Sequence, residues 1–272
     1  MQIEIEEIRK FWDFYQTQSK DIVNFDTFLV HYFPSHFWGP HQRRVELILE
    51  GGLSEPILEA GSGSGWLTFL LSRKGLKTVG IDLLEKQLFQ STLLFKRFHL
   101  EGNWVQGNLL SLPFPDASFA SMIALDILEH IKDIDQTLRE LRRVIKDKGT
   151  FYVTVPNGWG AYCILEDRLH KKINLPLRRF IKKIFLREKI DHKREGVERY
   201  HEHLHGLGWW KKQFRTHGFE VVKTNNLEFI STVIFPRIGY QKCALWSQRD
   251  CWLAQRLPSV LVSEWLFQLT PV

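Results

Sequence analysis

The spacing of apolar residues changes along the chain and indicates which segments form helices and which form strands. In residues 1–52 apolar positions recur every three to four residues, the period of a helix that buries one face. From Pro56 onward, short apolar runs alternate with stretches of helical period, which predicts parallel strands joined by helices. The predicted strands are residues 56–60, 77–81, 103–106, 120–125, 150–155, 219–224 and 264–270. The predicted helices beyond residue 52 are residues 65–74, 84–99, 134–146 and 207–217.

This alternation predicts an α/β fold, with a doubly wound, mostly parallel sheet of seven strands. The alternation stops for about fifty residues after Asn157 and then resumes, so we expect insertions after the fifth strand and between the sixth and seventh. The chain is therefore divided into four predicted parts. They are a helical N-terminal cap (1–52), a sheet core (53–157), an insertion (158–206) and the C-terminal part of the sheet with an aromatic-rich insertion (207–272).

Composition excludes several classes of protein. Apolar residues make up 44% of the 272 residues and charged residues 25%, which is typical of a folded globular chain. We find no apolar run of the ~18 residues that a bilayer span needs, and the N-terminus is acidic where a signal peptide is basic. The three cysteines, Cys163, Cys243 and Cys251, have no metal-ligand spacing. A cytoplasmic protein is expected, and not a secreted disulfide scaffold or a cysteine zinc finger.

The positive charge is concentrated in one segment. The whole chain has a net charge of +6, which by itself would suggest a nucleic-acid partner. Residues 168–199 contain twelve Lys and Arg against four Asp and Glu, so the rest of the chain has a net charge of −2. The insertion is basic, whereas the predicted sheet core is not.

A glycine-rich loop follows the first predicted strand. Residues 59–65 read Glu-Ala-Gly-Ser-Gly-Ser-Gly and lead into a helix. Glycines allow a sharp turn and a close approach of the backbone to a ligand. A dinucleotide fingerprint would need glycine at the position of Trp66, which disfavours a dehydrogenase, and a phosphate-binding P-loop would need a lysine here. An ordinary strand–helix turn is the alternative.

With this loop and the motifs that follow it, the chain resembles the class I S-adenosylmethionine-dependent methyltransferases. The likeness is to the small-molecule and lipid type, such as the domains of ubiquinone biosynthesis. It covers residues 40–157 well, including the Leu-Pro-Phe-Pro-Asp-Ala-Ser-Phe-Ala run at 112–120, and 200–225 more loosely. The resemblance implies a Rossmann-like fold with S-adenosylmethionine as cofactor, bound by the core 53–157. The cofactor contacts that it implies are Glu59, Gly61, Ser62, Gly63, Gly65, Asp82, Leu83, Asn108, Leu109 and Leu125.

Four of these residues have individual expected roles. Asp82 ends the second strand, where a carboxylate can accept both ribose hydroxyls, although alone it could equally be a helix cap. The resemblance implies that Leu83 packs against adenine and that Asn108, which replaces a common Asp, keeps an acceptor for the adenine amino group. It also places Glu59 under the methionine moiety, and the alternative there is a solvated acid.

Glu129 and His130 are the predicted catalytic residues. They follow the fourth strand, whose end faces the cofactor crevice, and similar Glu-His pairs occur in small-molecule members of the family. Histidine is a common general base, so His130 is a candidate base or orienter of the acceptor. Alternatively, the pair only ties the loop to the next helix.

Alternating histidines form a second polar cluster at His201, His203 and His205. Such a cluster could bind zinc. The resemblance instead implies that the histidines line the acceptor side or support it. We therefore predict no metal.

Residues 176–190 predict a basic amphipathic helix, for which three interpretations remain open. It forms a lid over the site, contacts an anionic membrane surface, or contacts nucleic acid; the last is disfavoured because no base-stacking module accompanies it. The aromatic stretch 229–267 suits an interfacial surface, an apolar pocket or a packed helical subdomain. Together the two segments favour a bulky apolar or anionic-headed acceptor, such as a quinone-like lipid.

The sequence thus predicts a methyltransferase that methylates oxygen or carbon of a small-molecule or lipid-like acceptor. We expect it in the cytoplasm, and at the membrane periphery if the basic helix contacts lipid. The alternative from a different class is a non-catalytic protein that binds S-adenosylmethionine or a nucleoside. A nucleic-acid methyltransferase is less favoured.

Overall fold

The computed structural model describes residues 38–160, 163, 202–229 and 248–272. Most of the predicted N-terminal cap, the basic helix at 176–190, His201 and the aromatic residues between 230 and 247 lie outside the described residues. The structure therefore describes the whole predicted core, residues 38–52 of the predicted cap and most of the C-terminal part, and the division into four parts stays a prediction.

Seven strands and five helices have both ends within the described residues, and residues 248–254 are helical as well. The strands are β1 (Ile57–Ala60), β2 (Thr78–Asp82), β3 (Asn103–Gln106), β4 (Phe119–Ala124), β5 (Ile145–Pro156), β6 (Phe219–Glu228) and β7 (Glu264–Pro271). The helices are α1 (Trp38–Glu50), α2 (Trp66–Arg73), α3 (Glu85–Arg97), α4 (Ile134–Val144) and α5 (Leu207–Thr216). A short 3-10 helix, Leu128–His130, follows β4.

All seven strands join one sheet in the order β3-β2-β1-β4-β5-β7-β6. The first five strands pair in parallel, and β7 pairs antiparallel with both β5 and β6. The predicted α/β class with a mostly parallel, seven-stranded sheet is confirmed. Because the strand order reverses between β1 and β4, a crevice opens at their carboxyl ends, where ligands bind in open α/β sheets.

The apolar pattern of the strands places a core on each face of the sheet. Every residue of β1 is buried, as expected of a central parallel strand covered on both faces. Leu58 packs with one buried cluster and Ile57 with the other, because successive side chains point to opposite faces. Helices α4 and α5 contribute to the first cluster, and α1 and α2 contribute to the second. Among the described residues, no helix has the length and apolarity that a bilayer crossing requires.

Candidate cofactor-binding site

The glycine loop is fixed to the end of the neighbouring strand. The backbone N–H groups of Gly61 and Ser62 both donate to the carbonyl of Ile81, at 2.9 and 3.0 Å. Gly63 donates its N–H to Asp82 Oδ2 at 2.8 Å. The loop and the carboxylate at the end of β2 therefore form one unit.

The three loop glycines have left-handed backbones but different surroundings. Their φ angles are 72° at Gly61, 51° at Gly63 and 76° at Gly65. A Cβ at Gly61 would lie 2.6 Å from the Ile127 side chain, and one at Gly65 would lie 2.5 Å from the Trp104 ring. A Cβ at Gly63 would meet nothing within 4 Å. Packing therefore requires glycine at 61 and 65, whereas Gly63 faces open space.

A cavity of about 290 Å³ opens above this loop, at the carboxyl ends of β1 and β4. Five of the predicted cofactor residues line it: Glu59, Gly61, Ser62, Gly63 and Leu125. The other lining residues come from α1, from the start of α2, from α3 and from the segment after β4. They are His41, Arg44, Ser64, Trp66, Leu67, Gln87 and Asp126.

Glu59 forms part of the cavity wall as a buried carboxylate. Its Oε2 accepts a hydrogen bond from the Thr68 N–H at 2.9 Å and another from the Thr68 hydroxyl. Burial raises the pKa of Glu59 to about 7, and the nearby Asp82 carboxylate adds to the increase, while the Thr68 bonds oppose it. The solvated-acid interpretation of Glu59 is therefore wrong, since the side chain is buried.

The residues predicted to hold ribose and adenine lie beyond the cavity, at the same edge of the sheet. Asp82 receives the Gly63 bond on Oδ2 and the Leu84 N–H on Oδ1 at 2.9 Å. Its carboxylate can accept further bonds, because two oxygens offer about four acceptor positions. The Leu83 side chain is exposed, as is Asn108, whose Oδ1 accepts the Leu110 N–H. Leu109, in contrast, is buried in the core.

A buried ion network joins three distant parts of the chain beside the cavity. Arg44 of α1 donates to Asp126 Oδ2 and to Glu264 Oε1, both at 2.6 Å, and its side chain is 2% exposed. Thr154 of β5 donates its hydroxyl to Asp126 Oδ1 at 2.8 Å. Asp126 has a φ of 54°, which is rare for a residue other than glycine and is often found at functional sites.

This network sets the charge of its carboxylates. Burial alone would raise the pKa of Asp126, but the Arg44 guanidinium and the nearby His41 hold it well below its ordinary value. Burial raises the pKa of Glu264 well above its ordinary value, although Arg44 opposes that shift. Asp126 is therefore the ionised partner of Arg44 and presents a fixed negative charge to the cavity.

The predicted catalytic pair lies outside the cavity, in the 3-10 helix after β4. Glu129 is buried, and its Oε2 accepts no hydrogen bond within the described part of the chain. Burial raises the pKa of Glu129 well above its ordinary value, and the Asp126 charge adds to this. The His130 side chain is 34% exposed and places Nε2 3.9 Å from Glu129 Oε1. The pair thus combines a buried carboxyl of raised pKa with a more accessible imidazole.

A strap formed by residues 202–206 crosses the ends of β4 and β5. The Glu129 carbonyl accepts the N–H groups of Glu202 and His203, and the His205 carbonyl accepts the Gly158 N–H. The His205 ring stacks on Trp209 at a centroid distance of 3.7 Å. Burial, with the neighbouring His203, lowers the pKa of His205. Among the described residues, no group of three potential metal ligands comes together.

Sequence reasoning missed His41, Arg44 and Asp126 as lining residues. Asp126 lies only one position from the predicted Leu125, so the run after the fourth strand was the right place to search. His41 and Arg44 lie in α1, and Arg44 precedes Asp126 by 82 residues. No local sequence motif connects the two α1 residues with Asp126. Only the folded chain brings these groups together.

The switch point, the glycine loop and the carboxylate after β2 define a class of protein that binds a nucleoside cofactor on a Rossmann-like sheet. Comparisons with known proteins identify the class further. Residues 58–153 match the family model described as a methyltransferase domain. The chain is 25% identical to an uncharacterized protein of Methanocaldococcus jannaschii, over 84% of this chain and 82% of that protein. It is 35% identical to a demethylmenaquinone methyltransferase of Thermotoga maritima, over 41% of this chain and 48% of that protein.

A solved structure shares the fold over most of its length. The geranyl diphosphate C-methyltransferase of Streptomyces coelicolor superposes with a TM-score of 0.57 at 13% identity, over 85% of this chain and 77% of that chain. The matched segment, residues 58–153, is thus a methyltransferase domain of the class I S-adenosylmethionine-dependent type, and S-adenosylmethionine is its cofactor. The cavity suits this cofactor, because it offers the carboxyl groups of Glu59 and Asp126 to a cationic ligand and the Ser62 hydroxyl is buried without a partner in the described part of the chain.

Proposed function

We propose that the protein transfers a methyl group from S-adenosylmethionine to oxygen or carbon of a small-molecule or lipid-like acceptor. The observation that carries the proposal is the cavity between the glycine loop and the end of β4, whose wall contains the carboxyl groups of Glu59 and Asp126. Similarity to a demethylmenaquinone methyltransferase over residues of the core supports an apolar acceptor. When bound, the cofactor supplies an electrophilic methyl group, so the protein has mainly to align the acceptor and exclude water.

The cofactor would extend from the cavity onto the exposed edge of the sheet. Glu59 and the open backbone at Gly63 face the space for the methionine end. Asp82 has acceptor capacity left for the ribose hydroxyls, and Leu83 and Asn108 are exposed for adenine. Since the Leu109 side chain is in the core, only its backbone would reach the ligand. Gly65 would support the site through packing, because the Trp104 ring fills the space that a side chain at this position would need.

Cofactor affinity is expected to rise as the pH rises through about 7, because Glu59 ionises there. S-adenosylmethionine carries an ammonium and a sulfonium, which favour the carboxylate form. Between about pH 6 and about pH 8, titration calorimetry should show about tenfold tighter binding. The stability of the ligand-free protein changes with pH in the opposite direction. The raised pKa of Glu59 stabilises the fold fully below pH 4.5, the ordinary pKa of the group, and this stabilisation is lost as the pH rises to about 7.

Glu59→Gln serves as the control for this pH effect. It should bind the cofactor more weakly and without the pH dependence, because its amide does not titrate. An unchanged pH profile in Glu59→Gln would assign the titration to another group.

Glu129 and His130 are proposed to act on the acceptor and not on the cofactor. His130→Ala and Glu129→Gln should therefore keep the affinity for S-adenosylmethionine within about twofold and lower kcat by about 100-fold, the range of general acid–base catalysis. Calorimetry and single-turnover methyl transfer measure the two effects separately. Full turnover in both variants would support the alternative that the pair only ties the loop after β4 to the next helix, α4.

The acceptor class is tested by supplying labelled S-adenosylmethionine with lipid, RNA and small-metabolite extracts in parallel. The proposal predicts label in the lipid or small-metabolite fraction. Label in RNA alone would contradict it. Cofactor binding with no transfer to any fraction would favour the non-catalytic alternative.

A further inference from the structure

Exposed apolar side chains gather at the sheet edge where the cavity opens. Trp159 follows β5 and is 62% exposed; Val260 and Leu261 precede β7 and are 62% and 51% exposed. Trp252 and Leu253, in the helical segment 248–254, are 57% and 40% exposed. We call these five residues the apolar rim. Large exposed apolar patches commonly mark interaction sites.

The rim lies at the carboxyl edge of the parallel strands. Pro156, at the end of β5, pairs with Glu264, at the start of β7. The Asn157 N–H donates to the Ser263 carbonyl at 2.8 Å, which fixes the segment before β7 to the end of β5. Glu264 in turn pairs with Arg44, which lines the cavity. The rim and the cavity are therefore parts of one edge of the molecule.

Buried polar side chains hold the backbone of the rim in place. The Asn157 amide donates to the carbonyls of Val260 and Val262 at 3.1 and 2.7 Å, and its oxygen accepts the Trp159 N–H at 3.0 Å. The Trp265 indole donates to the Ser259 carbonyl at 2.8 Å. Because the backbone is fixed in this way, the exposed apolar side chains are a built feature of the fold and not a frayed loop.

Asn226 anchors the other half of the rim. Its amide donates to the carbonyls of Ala254 and Leu257, at 3.0 and 2.8 Å. These bonds hold the end of the helical segment against β6. Trp252 and Leu253 are thus presented to solvent from a fixed position.

Among the charged side chains beside the rim, the positive ones are exposed and the negative one is buried. Residues 248–262 contain Arg249, Asp250 and Arg256 as their charged side chains. Asp250 is buried and accepts the Phe229 N–H at 2.9 Å. The two arginines are exposed, and the Arg256 guanidinium lies 3.7 Å from the centre of the Trp252 ring. The rim therefore presents apolar tips with cations beside them.

We infer that the apolar rim docks the protein on an anionic lipid surface. Tryptophan favours the headgroup region of a bilayer, and an arginine beside it can meet lipid phosphates. Five side chains are too few for a stable protein–protein interface, which uses about 20–30 residues a side. Shallow insertion of Trp252, Val260 and Leu261, in contrast, needs only a few apolar tips. The docked protein would open its cavity edge toward the membrane.

The inference is tested with the full chain and two kinds of vesicle. One is phosphatidylcholine alone, and the other contains phosphatidylglycerol as well. Flotation should show binding to the anionic vesicles and little to the neutral ones. The double variant Val260→Ser/Leu261→Ser should bind at least about tenfold more weakly, and Arg256→Gln about fivefold more weakly.

Val222→Ser provides the matched control. Val222 is 59% exposed on β6, six residues from the end of that strand, so it is as apolar and as exposed but lies away from the rim. This variant should bind vesicles as the unchanged protein does. Each variant should also keep its S-adenosylmethionine affinity, which shows that the fold is intact and separates loss of docking from failure of the proposed function.

Three results would overturn the inference. They are no binding to anionic vesicles, binding that survives Val260→Ser/Leu261→Ser, and self-association in light scattering that this variant abolishes. The last would identify the rim as an interface between copies of the chain. A further positive sign is quenching by brominated lipid that disappears in Trp252→Phe.

Discussion

Replacing Arg44 by Met should lower the free energy of unfolding by about 3–5 kcal/mol, the usual cost of removing one partner from a buried ion network. The buried Glu264 and the partly exposed Asp126 would then both lose their cationic partner. Both carboxyls would be driven toward their protonated forms, with raised pKa values. The loss of stability should therefore be larger at about pH 8 than at about pH 5, as measured by urea unfolding.

Arg43→Met is the matched control for Arg44→Met. Arg43 belongs to the same helix α1, but its partners Glu46 and Glu50 lie on the partly exposed side. Ion pairs of that kind contribute about 0–1 kcal/mol. Equal losses in the two variants would contradict the assigned importance of the buried network.

Replacing Gly63 by Ala is expected to weaken S-adenosylmethionine binding by about tenfold or more. The new methyl group would occupy the open side of the loop, where the backbone lines the cavity. The protein should still fold, since a Cβ at this position meets no atom within 4 Å. The left-handed φ of 51° adds a strain of about 1–2 kcal/mol.

Gly75→Ala separates backbone strain from lost binding. Gly75 also has a positive φ, 80°, and a Cβ there likewise meets nothing within 4 Å, but the residue does not line the cavity. Both variants should lose similar stability, and only Gly63→Ala should lose cofactor affinity in titration calorimetry. A comparable loss of affinity in both would remove Gly63 from the binding surface.

The strands were predictable where the residues facing the core follow a local pattern. The prediction of 103–106 agrees with β3, and 120–125 differs from β4 by one residue at each end. Two strands, β5 and β6, are longer than predicted by four residues or more. β5 begins at Ile145, because that residue pairs with Phe119 across an irregular register, and the polar run at 146–149 conceals this in the sequence.

β6 extends to Glu228 through two asparagines that disfavour strands in isolation. Asn226 is retained there because its buried amide bonds the carbonyls of Ala254 and Leu257. That gain depends on a segment almost thirty residues further along the chain. Strand propensities, which are read from neighbouring residues in the sequence, therefore cannot predict this stabilisation of β6.

The site, like the strands, was predictable only where its residues lie close together in the sequence. The glycine loop and Asp82 are separated along the chain by only one helix and one strand, so sequence spacing is enough to find them. Asp126 and Glu264 lie 82 and 220 residues from Arg44 along the chain, and they pair with it only once the sheet has assembled. The aromatic stretch 229–267 divides in the same way: Trp265 and Phe267 are buried in β7, whereas Trp252 is exposed.

The most direct test of the proposed function is methyl transfer from labelled S-adenosylmethionine, with the unchanged protein and Gly63→Ala compared on lipid, small-metabolite and RNA extracts. We predict that the unchanged protein moves label into the lipid or small-metabolite fraction, and that Gly63→Ala regains transfer only at higher cofactor concentration. Cofactor binding by the unchanged protein with no label in any fraction would contradict the proposed function, as would label confined to RNA.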